Sequence, residues 1–207
     1  MRGAGRSARA KRTLDVVVGS CLTVICAPIM ALVAGYILVT SGRPVIFRQT
    51  RVGQNGRLFT MLKFRTMVPD AESMRAGLCD ERATSGVQSA SFKMQSDPRI
   101  CRGGGLLRRW SLDELPQLIN VVGGSMSLVG PRPHTVEDFA EYREGTYERL
   151  DVPPGLTGPW QVGGRCELSG DEAPELDLDY VRHGSIIVDV SLLLRTMKAV
   201  VSGRGAM

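Results

Sequence analysis

The chain predicts an α+β fold, in which a re-entrant membrane helix hairpin precedes a compact, mostly helical cytoplasmic domain with a small β-hairpin. Three observations carry this. Residues 16–39 run for 24 positions without a charge, and Pro28 falls near the centre. Residues 44–47 and 58–62 alternate as short strands around a turn at 53–56 that contains Asn55 and Gly56. Beyond residue 105 the apolar residues fall largely into helical stretches. The chain divides into a basic N-terminal tail over 1–12, the anchor over 13–42 and the cytoplasmic domain over 43–207.

The apolar run is long enough to cross a bilayer once, since about 20 residues suffice. Two details favour a hairpin instead. Pro28 removes a backbone hydrogen bond and tends to bend a helix. Basic residues also stand on both flanks, with Arg6, Arg9, Lys11 and Arg12 before the run and Arg43, Arg48 and Arg51 after it. A crossing segment should have one basic side, so both ends read as facing the cytoplasm. Each arm would be roughly a dozen residues, reaching about 18 Å, short of the about 30 Å of hydrocarbon. A single crossing and a buried helix of a soluble protein stay open as alternatives. Asp15, at the boundary, reads as interfacial and paired with Arg12.

A net charge of +5 and a pI near 9.2 favour anionic partners, whether lipid headgroups, phosphorylated substrates or nucleic acid. Five cysteines, Cys21, Cys26, Cys79, Cys101 and Cys166, lack CxxC spacing and read as reduced thiols. His134 and His183 are too isolated to suggest a histidine-based metal site.

The predicted hairpin delivers Lys63-Phe64-Arg65. The two cations read equally well as a solvated strand end or as a phosphate clamp, in which lysine supplies a point charge and arginine a fork. Residues 70–105 are charged and rich in Ser and Gly, and read as a mobile loop with a short helix at 71–76.

Residues 108–133 hold the most informative pattern. Adjacent carboxylates, Asp113 and Glu114, stand at a helix start, with Arg108 and Arg109 before them and Pro131-Arg132-Pro133 after. Neighbouring acids divide labour when their environments differ, one ionised as nucleophile or metal ligand and the other assisting. Ser111 with Glu114 would form a capping box. Asp113 as N-cap would instead place Pro116 where its missing N–H costs nothing. Either register puts backbone donors and a positive dipole end near Asp113, which suits a phosphate. The dyad helix should run to about Val122 and stop at Gly123-Gly124.

Residues 137–150 predict a charged amphipathic surface helix, and a loop bracketed by Pro153-Pro154-Gly155 and Gly163-Gly164 carries Trp160, Gln161 and Arg165. Residues 175–181, with Asp177, and 186–201, with Arg195 and Lys198, predict two closing helices. The last fits a membrane-surface helix and a core-packing helix equally well.

Taken in order, these motifs resemble the bacterial sugar transferases, also called monotopic phosphoglycosyl transferases or polyprenyl-phosphate hexose-1-phosphate transferases. The resemblance is carried by Lys11-Arg12 with Asp15, Val45-Ile46-Phe47, Lys63-Phe64-Arg65-Thr66-Met67, residues 111–117 around Asp113-Glu114, Gly130-Pro131-Arg132-Pro133, Pro154-Gly155-Leu156-Thr157-Gly158, Gln161-Val162, Gly164-Arg165, Leu176-Asp177 and Tyr180-Val181. So many in sequence over nearly the whole chain is a specific signal.

The resemblance implies transfer of a sugar 1-phosphate from a UDP-sugar to undecaprenyl phosphate, at the cytoplasmic face of a bacterial inner membrane, to start a surface polysaccharide. It implies Asp113 as nucleophile and Mg²⁺ ligand, Glu114 as its assistant, and Mg²⁺ as cofactor. Lys63, Arg108 and Arg132 become phosphate-contacting residues, and Asp177 a polar residue of the same site. Arg65, Gln161 and Arg165 are candidate nucleotide or sugar contacts, and Pro28 is the membrane break. The chain departs from the family pattern at Ala27, often Ser before the proline, at Ser125, often Asp, and at Pro159-Trp160, more familiar as Trp-Ala.

A membrane-anchored basic binding or scaffold protein without catalysis would also explain the charge. Scattered aromatics and the lack of a reading motif argue against nucleic acid, and the intact dyad argues against a scaffold. A homodimer is compatible with the sequence.

Overall fold

The computed structural model describes residues 2–71, 74, 97–140, 142, 145–163 and 172–202. It opens on helix α1, Arg2–Ser41, which continues through Pro28 without interruption. The expected helix–break–helix is therefore not what the chain displays locally: a proline removes one hydrogen bond, and the flanking turns carry on past it. Ala8–Ser41 is long and apolar enough to cross a membrane, and only 11% of its most apolar 18-residue stretch is buried within the protein. Val24, Ile25, Leu32 and Val39 are exposed.

Both ends of α1 are fastened to the same domain. Leu14, Val18 and Leu22 pack on the main core, while Val33 and Ile37 form a second cluster with Phe64 and Leu107. Asp15 is buried and accepts from Ser127 Oγ at 3.0 Å and the Leu128 amide at 2.9 Å. Arg12 donates to the Val121 and Val122 carbonyls at 2.7 and 2.8 Å. The expected Arg12–Asp15 pair is thus replaced by tertiary partners, because a buried carboxylate needs fixed donors and helix-end carbonyls need a cation. Lys11 bonds Asp189 at 2.7 Å, Tyr180 Oη at 3.1 Å and the Val129 carbonyl at 3.0 Å.

Strands β1, Ile46–Val52, and β2, Leu58–Phe64, pair antiparallel around a 3-10 turn at Gln54–Gly56, where Asn55 adopts the left-handed conformation. The hairpin is longer than the alternation alone indicated, and Lys63 lies inside it opposite Phe47. Helix α2, Gly104–Arg109, leads into a 3-10 turn at Leu112–Glu114 and then helix α3, Gln117–Gly123. The helix expected over 71–76 lies outside the described residues except at positions 71 and 74.

Strands β3, Ser127–Val129, and β4, Gly155–Thr157, form a parallel pair that sequence patterning did not indicate. A Cβ at Gly155 would overlap the backbone of Gly130 and Thr157, so only glycine lets these strands approach. The single helix expected over 137–150 is instead helix α4, Val136–Ala140, and a 3-10 turn at Thr146–Asp151. Gly145, at φ +92°, enters that 3-10 turn in a conformation that favours glycine. Phe139, Tyr142 and Tyr147 meet edge to face there.

Helix α5, Pro159–Val162, helix α6, Glu172–His183, and helix α7, Ile186–Ser202, complete the chain. The main core joins Met61, Leu118, Val121, Met126, Leu128, Val129, Tyr180 and Leu192. On α7 Leu192 and Asp189 point inward, whereas Ile187, Leu194 and Met197 are uncovered.

Candidate active site

Three elements bring the site together. Helix α2 ends on Arg108 and Arg109, and Ser111 then takes a left-handed conformation, φ +52°, unusual for a residue with a Cβ. This bend turns the chain into the 3-10 turn that holds Asp113 and Glu114. Ser111 makes no side-chain cap, and α3 starts only after Pro116, so neither the capping box nor Asp113 as helix N-cap is formed. Strain of this kind clusters at functional sites, where the surroundings hold it in place.

Strand β2 brings Lys63. Asn120 on α3 fixes that strand beside the dyad turn, accepting from the Leu62 amide at 3.0 Å and donating to the Thr60 carbonyl at 2.8 Å. No motif pointed to Asn120, because an asparagine inside a helix has no local pattern. Ser125, near the end of the same helix, bonds back to Asn120 and so serves the local chain end.

Lys63 Nζ lies 2.9 Å from Glu114 Oε1, and an Arg132 nitrogen lies 4.0 Å from the same oxygen. Glu114, Lys63, Arg132, Arg51 and Gln161 face one open cleft. Asp113 is only 7% exposed. Burial, with the adjacent Glu114 charge second, raises its carboxyl from the usual 3.8 to about 6, against the pull of Lys63 and Arg108. Burial and the neighbouring Arg132 lower Arg51 to about 10, the mark of two guanidinium groups sharing a basic cleft. The Trp160 ring sits 5.4 Å from the Arg132 guanidinium carbon.

Other expected contacts sit elsewhere. Arg65 is buried and donates to the carbonyls of Ser41, Gly42 and Arg43, so it staples the end of α1 and does not reach the cleft. Arg65 lies one residue past the end of β2, where the chain leaves the strand, so strand geometry does not hold the two cations on one surface. Asp177 is 1% exposed and ion-paired to Arg149; burial raises its carboxyl, against the pull of Arg149 and of the Arg132 amide and guanidinium. Arg165 lies outside the described residues. Arg51 and Arg149 carried no sequence signal beyond being basic.

The carboxylate pair suits Mg²⁺ chemically. That ion keeps several waters and is held by one or two carboxylates together with substrate phosphates, not by a full protein cage. Among the described residues no group of three or more His, Cys, Asp or Glu gathers to form such a cage.

The bacterial sugar transferase family model matches residues 6–203. The chain is 41% identical over 198 residues to the galactosyl transferase CpsE of Streptococcus agalactiae serotype III, covering 95% of this chain and 43% of that protein. It is 38% identical over 205 residues to the undecaprenyl-phosphate galactose phosphotransferase of Salmonella typhimurium, covering 98% and 43%. To the exopolysaccharide production protein ExoY of Sinorhizobium fredii it is 34% identical over 197 residues, covering 95% and 87%. The chain thus spans less than half the length of the first two relatives and most of the third. With a family match over nearly its whole length, and a dyad turn facing a basic cleft, the chain belongs to the bacterial sugar transferase family.

Proposed function

We propose that the protein transfers a sugar 1-phosphate from a UDP-sugar to undecaprenyl phosphate, the lipid in the name of its Salmonella relative, and so initiates an exopolysaccharide, capsule or other glycan. One observation carries the reading: a carboxyl held largely out of water, Asp113, next to a cleft furnished with Lys63, Arg51 and Arg132. Above pH 6 its oxygen is ionised and poorly solvated, the condition of an activated nucleophile.

An Asp113 oxygen attacks the β-phosphorus of the UDP-sugar, and the bond from that phosphorus to the bridging oxygen breaks. UMP leaves with the electron pair, and the sugar phosphate stays on Asp113 as an acyl phosphate. A phosphate oxygen of the lipid then attacks the same phosphorus and frees the Asp113 carboxylate. Glu114, held by Lys63, keeps a negative charge beside Asp113 that favours handing the phosphoryl group onward. Arg132 and Lys63 balance charge on the phosphates, and Arg108 lies near enough to lower the Asp113 carboxyl. Mg²⁺, held by Asp113 with Glu114 close by, supplies further neutralisation of the phosphates when bound. Gln161, buried at the cleft wall, is in this reading a contact of the sugar or nucleotide.

Purified protein with Mg²⁺, undecaprenyl phosphate and a panel of UDP-hexoses should release UMP from at least one of them. No UMP from any member, or a trapped phosphosugar on a residue other than Asp113, would overturn the reading.

The anchor is read as re-entrant, on the cytoplasmic face of the inner membrane. Lys11, Arg12 and Asp15 near one end of α1 and Val33 and Ile37 near the other contact the same domain, which supports both ends lying on one side of the lipid. With the native cysteines removed, Ala8→Cys and Thr50→Cys should both react only from the cytoplasmic side. Labelling of position 8 from outside would make α1 a single crossing.

A further inference from the structure

We infer that Arg149 is a positioning residue that sets the phosphate-contacting guanidinium of Arg132; the inference rests on the function proposed above. Arg149 belongs to the 3-10 turn Thr146–Asp151, yet the residue is nearly all buried, at 5% exposure. It reaches three groups from three other segments of the chain. One nitrogen bonds Asp177 of α6; the other lies 3.1 Å from His134 Nε2 and 3.4 Å from Tyr142 Oη.

His134 is the second residue after Arg132, and Asp177 lies against the Arg132 amide. Arg149 therefore bolts α6 to the segment 131–134 on its inner side. The backbone of that segment is already tied outside: Gly155 donates to the Pro131 carbonyl at 2.8 Å, Arg51 to Pro133 at 3.2 Å, and Val52 to His134 at 3.1 Å. Burial and the Arg149 charge lower His134 to about 4, so at neutral pH its Nε2 accepts from Arg149.

A buried ion pair contributes little net stability over an apolar pair of the same shape, because desolvation offsets the attraction. What three fixed acceptors around a planar fork do supply is direction. The element so directed is the turn that carries Arg132 into the cleft.

The probe is UDP with Mg²⁺, its affinity measured by calorimetry. Arg149→Lys keeps the buried cation opposite Asp177 but cannot span all three acceptors. It should weaken UDP binding at least about tenfold, since an ångström of misplacement at a site costs up to about 10²-fold. In an Arg132→Ala background the same change should alter affinity less than about twofold, because the residue through which it acts is gone. The doubly substituted Arg149→Met, Asp177→Leu protein removes both charges and should fold as stably as wild type while still binding UDP poorly. Normal UDP affinity in Arg149→Lys or in this apolar pair would overturn the inference, as would an equal loss with and without Arg132. If wild type itself binds no UDP, the proposed function falls with it; if wild type binds and the variants match it, only the role of Arg149 falls.

Discussion

Asp113→Asn should abolish sugar-phosphate transfer and at the same time make the protein more stable. The activity loss, at least about 10³-fold, follows from removing the attacking oxygen while leaving the cleft intact. The gain in stability follows from the raised carboxyl. Its value moves from 3.8 to about 6 on folding, so the folded state holds the proton more tightly than the unfolded chain does. Ionisation is therefore penalised in the folded state, the penalty growing as pH rises from about 4 to about 6 and being complete above that. Two pH units correspond to at most about 3 kcal/mol, and an uncharged amide of the same shape avoids that cost. We expect about 1–3 kcal/mol of added stability at pH 8, or several degrees in the melting temperature, shrinking towards zero near pH 4. Wild-type turnover should in turn fall as pH drops through about 6. Calorimetric melts of both proteins across pH check the first; a variant less stable than wild type at pH 8 would mean that Asp113 is a structural acid.

Asp189→Ala should be the most destabilising single change outside the site. Asp189 is 2% exposed and accepts from Lys11 Nζ at 2.7 Å and from Tyr180 Oη at 2.6 Å. Burial and the Asp189 contact both hold the Tyr180 hydroxyl protonated. Removing the carboxylate leaves the Lys11 cation without its counter-charge, with only Tyr180 and the Val129 carbonyl as partners, at a cost of about 3–5 kcal/mol against a whole-domain stability of about 5–15 kcal/mol. It also loosens the first turns of α1 from β3 and α7. A melting temperature lowered by about 10 °C, with early proteolysis near α1, is the expected result. Lys11→Met combined with Asp189→Leu should recover most of that loss, since neither charge is then left alone. Wild-type stability in Asp189→Ala would show the network to be a surface-like pair.

The dyad, its arginines and the hairpin that brings Lys63 could be read along the chain because each is written in adjacent residues. The features that shape the site could not. Ser111 holds a conformation that serine disfavours, and only α2 and the dyad turn on either side impose it. Strands β3 and β4 are three residues each and far apart in sequence, too short to show a period of two. Arg149 stands in a charged stretch that looks like solvated helix, and its burial follows from Asp177 and His134, which fold around it. Asp15 and Arg12, one turn apart, read as a pair by spacing; Ser127 and the α3 carbonyls outcompete that contact because they are fixed in the interior. Lys63 stands inside β2 and Arg65 one residue past its end, and where that strand ends is not written in a three-residue motif.

The fastening of α1 at both ends has a further effect under the re-entrant reading. Leu22 and Met30 both rest on the protein, while Val24, Ile25, Ile29, Leu32 and Val39 stay bare along the helix as the face free to submerge. How deep the molecule sits is then dictated by its own tertiary contacts and not by the bilayer. Like a hull of fixed draught, it would carry the Asp113 carboxylate at one height above the headgroups in thick and thin membranes alike.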